Sequence, residues 1–143
     1  MPAEDPSSRS DERLLAKEVA SLVERLRRWT PSRWEVAAGP WGTRADLGRH
    51  LAQALADVAA DFQGTSPRTL PVLHPDLLVA DQLAVTSDDL LRLAPSAQVC
   101  HDAVDHVLAH RFDLLGEQPP ATLGGAASVT RGRAHCHALR PSP

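Results

Sequence analysis

GTSPRTLPVLHP, residues 64–75, carries three prolines in twelve positions, and its reading decides how the helices on either side are joined. Proline fixes φ and lacks a backbone N–H, so neither a helix nor a central strand continues through such a run. The segment is predicted to be an extended crossover. Upstream, Leu47, Leu51, Ala54, Leu55 and Val58 recur at helical spacing and Gly64 supplies a C-terminal stop. That helix starts at a clear signal, because Thr43 is a natural N-cap and Asp46, three residues on, resembles the reciprocal acid of a capping box. Downstream, Pro75 suits the first turn of a helix in which Leu77, Leu78, Leu83, Leu90, Leu91 and Leu93 lead to Ala94-Pro95, with TSDD at 86–89 as the place for a kink.

Two further helices flank this pair. From Asp11, the residues Leu14, Leu15, Val19, Leu22, Val23, Leu26 and Trp29 form an apolar stripe with arginines and glutamates opposite, and Thr30-Pro31 ends it. The link PSRWEVAAGPWGT, residues 31–43, is expected to be a fixed loop packed on the bundle end through Trp34 and Trp41. Ser96 is placed to cap the last helix, which runs to Leu115 with Gly116 just beyond it. No stretch shows convincing period-two alternation. The expectation is an all-α fold, an antiparallel four-helix bundle over residues 11–116, with a loose tail at 1–10 and a Pro/Gly-rich, disordered segment from 117 to 143.

Composition narrows the function classes. The 143 residues suffice for one self-sufficient core, and 43% hydrophobic with 23% charged residues is an ordinary globular balance. No apolar run reaches the ~18 residues of a membrane span, and the polar, acidic start does not look like a signal peptide, so a cytoplasmic location is expected. A net charge of −3 with Lys17 as the only lysine argues against nucleic acid as a main partner. Cys100 and Cys136 make no disulfide framework.

The chemistry is concentrated in HDAVDHVLAHRFD, residues 101–113. Val99, Ala103, His106, His110 and Leu114 follow at helical spacing, which places His106 and His110 on the inward stripe, one turn apart. His50 lies between Leu47 and Leu51 on the earlier helix, so a third imidazole is expected to face the interior. Three imidazoles converging in an apolar pocket are costly if unpaired. A divalent metal would satisfy all three and leave further coordination positions open, the mark of a catalytic site. Asp102 and Asp113 stand four residues before His106 and three after His110, within reach to accept a ring N–H as outer-sphere partners. His101 falls off the stripe and is read as a surface partner of Asp105. Cys100 is read as a small helix residue, and His135-Cys136-His137 as adjacent residues poorly placed to share one tetrahedral centre.

Two blocks then resemble a known family. Thr30-Pro31, Trp34, Pro40-Trp41, Thr43, Asp46-Leu47 and His50-Leu51, followed by HVLAHRFDLLGEQPP at 106–120, are similar in order to the mycothiol-dependent maleylpyruvate isomerase-like branch of the DinB-like four-helix superfamily. Position 106 is His where that branch often has Glu, and the glycine between Pro40 and Trp41 is missing. The resemblance implies a divalent metal, usually zinc, held by His50, His106 and His110, and mycothiol as the thiol. The expected activity is a metal- and thiol-dependent transferase or isomerase-like reaction on an electrophilic small molecule, with catalytic residues unassigned. Imidazole also suits nickel, copper and iron. A non-catalytic helical binding or regulatory module with the same fold is the rival reading, and a homodimer is left open.

Overall fold

The computed structural model describes residues 5–117, so residues 1–4 of the expected leading tail, the expected tail from 118 on and the His135-Cys136-His137 triplet lie outside the described residues. Among the described residues there are five α-helices: α1 (Pro6–Arg27), a single turn α2 (Pro31–Trp34), α3 (Arg44–Gln63), α4 (Leu78–Arg92) and α5 (Ala97–Leu115). A 3-10 turn over Gly39–Trp41 interrupts the link between α2 and α3. The fold is an all-α bundle, as the periodicity predicts. No described helix is long and apolar enough to cross a membrane.

α1 begins five residues earlier than its apolar stripe suggested, so residues 6–10 are helix rather than loose tail. Asp5 accepts a hydrogen bond from the Ser7 N–H, Pro6 occupies the first turn, and Ser10 bonds back to the Pro6 carbonyl. Polar residues thus extend the helix through capping, a signal that apolar periodicity does not carry. Leu15, Val19, Leu22, Val23 and Leu26 form its buried face.

The crossover determines the directions of the bundle helices. After Gly64 the chain turns back along α3: Gln53 donates from Nε2 to the Arg68 carbonyl and accepts the Leu70 N–H at 2.8 Å. Nearer the start of α3, the partly buried Arg49 guanidinium bonds the Leu73 carbonyl and the Asp76 carboxylate, and its other nitrogen reaches Asp46. Gln82 of α4 donates to the Pro71 carbonyl from the opposite side. The segment therefore returns the chain to the end where α3 began. There Gly48 of α3 meets Val79 of α4 so closely that a Cβ at position 48 would stand 2.6 Å from the valine methyl.

α3 and α4 consequently run parallel. The same holds for α1 and α5, where Glu18 pairs with Arg111 and, further on, Arg25 pairs with Glu117 just past α5. Directions oppose between α1 and α4, whose end and start meet at Arg27–Asp81, and between α3 and α5, where Arg44 lies against Gly116. The neighbours in the bundle are α1–α4, α4–α3, α3–α5 and α5–α1. The antiparallel expectation thus holds for two of these contacts and gives way to parallel packing at the other two, because a long crossover, unlike a tight turn, leaves the next helix free to start at either end.

Two details of α4 differ from expectation. It starts at Leu78, after a turn in which the Leu78 N–H bonds the Pro75 carbonyl, so Pro75 precedes the α-helix instead of opening it. TSDD does not interrupt it: Thr86 and Ser87 are buried, and the Thr86 hydroxyl bonds the Gln82 and Leu83 carbonyls of its own helix. Back-bonding of this kind satisfies the hydroxyl inside the core.

Gln53→Ala would strip the crossover of two backbone partners. A loss of about 1–3 kcal/mol in urea unfolding is expected, with faster proteolysis inside residues 65–73. At the Gly48 contact, overpacking by Gly48→Ala, costing about 1–3 kcal/mol, outweighs the helix-propensity gain of about 1 kcal/mol. The double variant with Val79→Ala should be less destabilised than the sum of the two singles, and simple additivity in a double-mutant cycle would refute the steric account.

Candidate metal centre between α3 and α5

The site begins with the capping box that fixes where α3 starts. Thr43 Oγ1 accepts the Asp46 N–H at 3.2 Å, and Asp46 Oδ2 accepts the Thr43 N–H at 3.0 Å. The loop before it is closed by an isolated antiparallel bridge between Ala37 and Thr43, in which the Arg44 N–H bonds the Val36 carbonyl at 2.8 Å. Within this closed loop the Gly39–Trp41 turn holds the Trp41 indole over the first turns of α3. Trp34, which is fully buried, anchors the loop from below through edge contact with Trp29 at 4.8 Å between ring centroids.

Leu47, Gly48, Leu51, Ala52 and Leu55 supply the buried face of α3. His50 lies one step of about 100° around from Leu51, and its ring remains exposed on one side. On α5 the buried face is formed by Cys100, Ala103, Val104, Val107, Leu114 and Leu115, which places His106 and His110 on its flank, half-buried. The three histidines therefore do not lie on the inward stripes, as their sequence spacing suggested. The core takes the neighbouring positions, and the imidazoles border the seam where α3 and α5 meet.

At that seam the rings cluster. His50 and His110 face each other across the helices with centroids 5.3 Å apart, and His106 follows His110 at 6.5 Å in a near-parallel stack. Trp41 covers both partners of the first pair, at 4.4 Å from His50 and 5.2 Å from His110. Loss of solvent around its ring pushes the His50 pKa below the ordinary imidazole value; the neighbouring His110 and then His106 act in the same direction, while Asp57 opposes them. A neutral imidazole with a free lone pair is the form that binds metal.

His110 is oriented by its own helix. Its Nδ1 lies 2.7 Å from the His106 carbonyl. As a donor to that carbonyl, Nδ1 leaves Nε2 as the unprotonated, ligating nitrogen, an arrangement common among metal-bound histidines. The aspartates expected in that supporting role are placed elsewhere. Asp102 is exposed and accepts a hydrogen bond from Gln98 at 2.8 Å, and Asp113 is exposed near the C-terminal end of α5 with no bond to His110 among the described residues. An i−4 carbonyl needs no side-chain ordering, which is why it displaces the carboxylate as the orienting group. His101 is exposed, off the buried face as expected. Cys100 is fully buried, and burial, with Glu12 and Asp11 adding to it, pushes its thiol up to about 11, leaving it inert at neutral pH.

The donors can be tested against a metal. Three imidazoles bound to one tetrahedral ion at Zn–N ~2.0–2.1 Å have ring centroids about 5 Å apart. The His50–His110 spacing meets this, and His106 stands further out by roughly an ångström on the same measure. Among the described residues, no three His, Cys, Asp or Glu side chains enclose an ion as they stand. Imidazole is a donor suited to a divalent metal, and of the three rings His50 and His110 are spaced as two ligands of one ion would be, while His106 stands outside that spacing.

Comparison with known protein families, characterised proteins and solved structures returned no match.

The capping box carries a pH signature. The Asp46 carboxyl is held below its ordinary value of 3.8, chiefly by the Thr43 N–H; burial opposes this, and the Thr43 hydroxyl and Arg49 add smaller contributions in the lowering direction. A lowered folded-state value stabilises the fold above the unfolded value and loses that contribution as pH falls through the folded one. The stability difference between the parent and Asp46→Asn should therefore be constant from pH 7 to about 5 and narrow below about 4. A gap that widens on acidification would contradict this assignment.

Proposed function

We propose that this chain binds one divalent metal ion, zinc by preference, through His50, His106 and His110, and that it carries out thiol-dependent transferase or isomerase-like chemistry at that ion. The observation that carries the reading is the His50–His110 ring pair under Trp41, which brings imidazoles from α3 and α5 to one point on the seam. The resemblance of residues 29–51 and 106–120 to the mycothiol-dependent maleylpyruvate isomerase-like branch supports the same triad and suggests mycothiol as the thiol. In the bound state, a metal with three neutral ligands keeps its +2 charge and lowers the pKa of a thiol or water that reaches it.

The chain's own residues prepare that chemistry. The surroundings of His50 favour its neutral form. His110 is turned by the His106 carbonyl so that Nε2 is available. Trp41 excludes water from one side of the pair and leaves the seam open on the other, where an electrophile would approach. The capping box fixes the height of His50 on α3, and the Gly39–Trp41 turn fixes the indole above it.

Untagged protein purified without chelators should contain one divalent ion per chain by mass spectrometry. His50→Ala, His106→Ala and His110→Ala should each abolish it, whereas His101→Ala should retain it. Absence of stoichiometric metal, or loss with His101→Ala and retention with His110→Ala, would overturn the triad. A metallated protein that activates neither a low-molecular-weight thiol nor water would instead be the non-catalytic helical module.

A further inference from the structure

Beside the imidazoles is a cavity of about 280 Å³, lined chiefly by Gly39, Pro40, Trp41, Phe112, Asp113 and Glu117. We infer that it is a subsite for a positively charged group, an ammonium or guanidinium, on the molecule that reaches the seam. Its role as a substrate subsite rests on the metal reading above; its capacity to hold a cation does not.

The volume lies just below the usual range for small-molecule sites, room for one ring or a short chain. Its charges are of one sign. None of the lining residues is basic, and Glu117 is engaged by Arg25. Asp113 has no hydrogen-bond or ion-pair partner among the described residues, so its carboxylate is uncommitted at the cavity wall. Arg44 lies directly against the lining residue Gly116, with its guanidinium held over the Trp29 ring at 5.3 Å.

Among the lining residues an anion would meet the carboxylates of Asp113 and of Arg25-paired Glu117 and no basic side chain, the guanidinium of Arg44 being held over Trp29. A cation would find one free carboxylate for a charge-assisted hydrogen bond and two aromatic walls, Trp41 and Phe112, whose rings attract positive charge. Trp41 is the wall the cavity shares with the histidines, since its indole touches both His50 and His110. A group bound here is therefore one indole away from the imidazoles. The 3-10 turn that shields the His50–His110 pair would then also select what reaches it, by charge.

The test uses the full chain, both as purified and after chelation, with benzylammonium and the neutral benzyl alcohol as probes in amide NMR titrations. Benzylammonium should shift the Gly39, Asp113 and Gly116 amides in both preparations and bind at least about fivefold more tightly than the alcohol. Asp113→Asn, an exposed and conservative change, should weaken the amine by about the same factor and leave the alcohol unchanged. Equal affinity for the two probes, undiminished amine binding in Asp113→Asn, or shifts confined to other residues would overturn the subsite. Absence of metal from the protein as purified would remove the metal reading, and amine binding in that same protein would leave the cation subsite standing.

Discussion

The constraint on which the rest of this bundle depends is the attachment of the 64–77 crossover to the flank of α3. Gln53 and Arg49, one helical turn apart, hold successive backbone and carboxylate groups of the returning chain. Because the segment is folded back along α3 instead of turning tightly, α4 starts beside the start of α3. The two helices then pack in parallel, closely enough at Gly48 and Val79 to exclude a side chain. With that pair fixed, α5 must run opposite to α3, which brings the end of α5 to the start of α3. Trp41 and the His50–His110 pair lie toward that end.

Arg49 and His50 show how adjacent positions on one helix serve different tasks. Arg49 turns toward the crossover and α4, while His50 turns toward α5 and Trp41. A helix rotates about 100° per residue, so the same capping box at Thr43 and Asp46 fixes the direction of both. Rotating α3 enough to disturb the imidazole pair would also break the crossover anchor. The structural and the proposed functional roles of this helix are thus coupled through its rotational phase.

The link between α2 and α3 has an equally double part. Trp34 fills the core under the loop, and Trp41 lies above it as a lid over two histidines and a wall of the acidic cavity. A short 3-10 turn between two glycines with positive φ, Gly39 and Gly42, sets the indole there. Residues with a Cβ adopt that backbone region only with strain, so the turn's shape is written into those two positions.

Much was legible in the residues themselves. Local rules, whose causes span no more than a few positions, gave the starts of α3 and α5, the stops at Gly64 and Gly116, and the proline-rich crossover. The start of α1 was missed because it is made by Asp5, Pro6 and Ser10, none of which is apolar. The continuity of α4 through Thr86 and Ser87 was missed because a buried hydroxyl can be satisfied by its own helix. Spacing also placed the histidines on the inward faces, since a stripe read at intervals of three and four is uncertain by about one residue of phase. Sequence by itself determined which segments are helical and which chemical groups each offers. Only the tertiary structure decided the helix directions, the position of the imidazoles at the α3–α5 seam, the His106 carbonyl as the group that orients His110, and the placing of Asp113 in one cavity with Trp41. Those depend on contacts between residues tens of positions apart, and their energies exist only once the chain has closed upon itself.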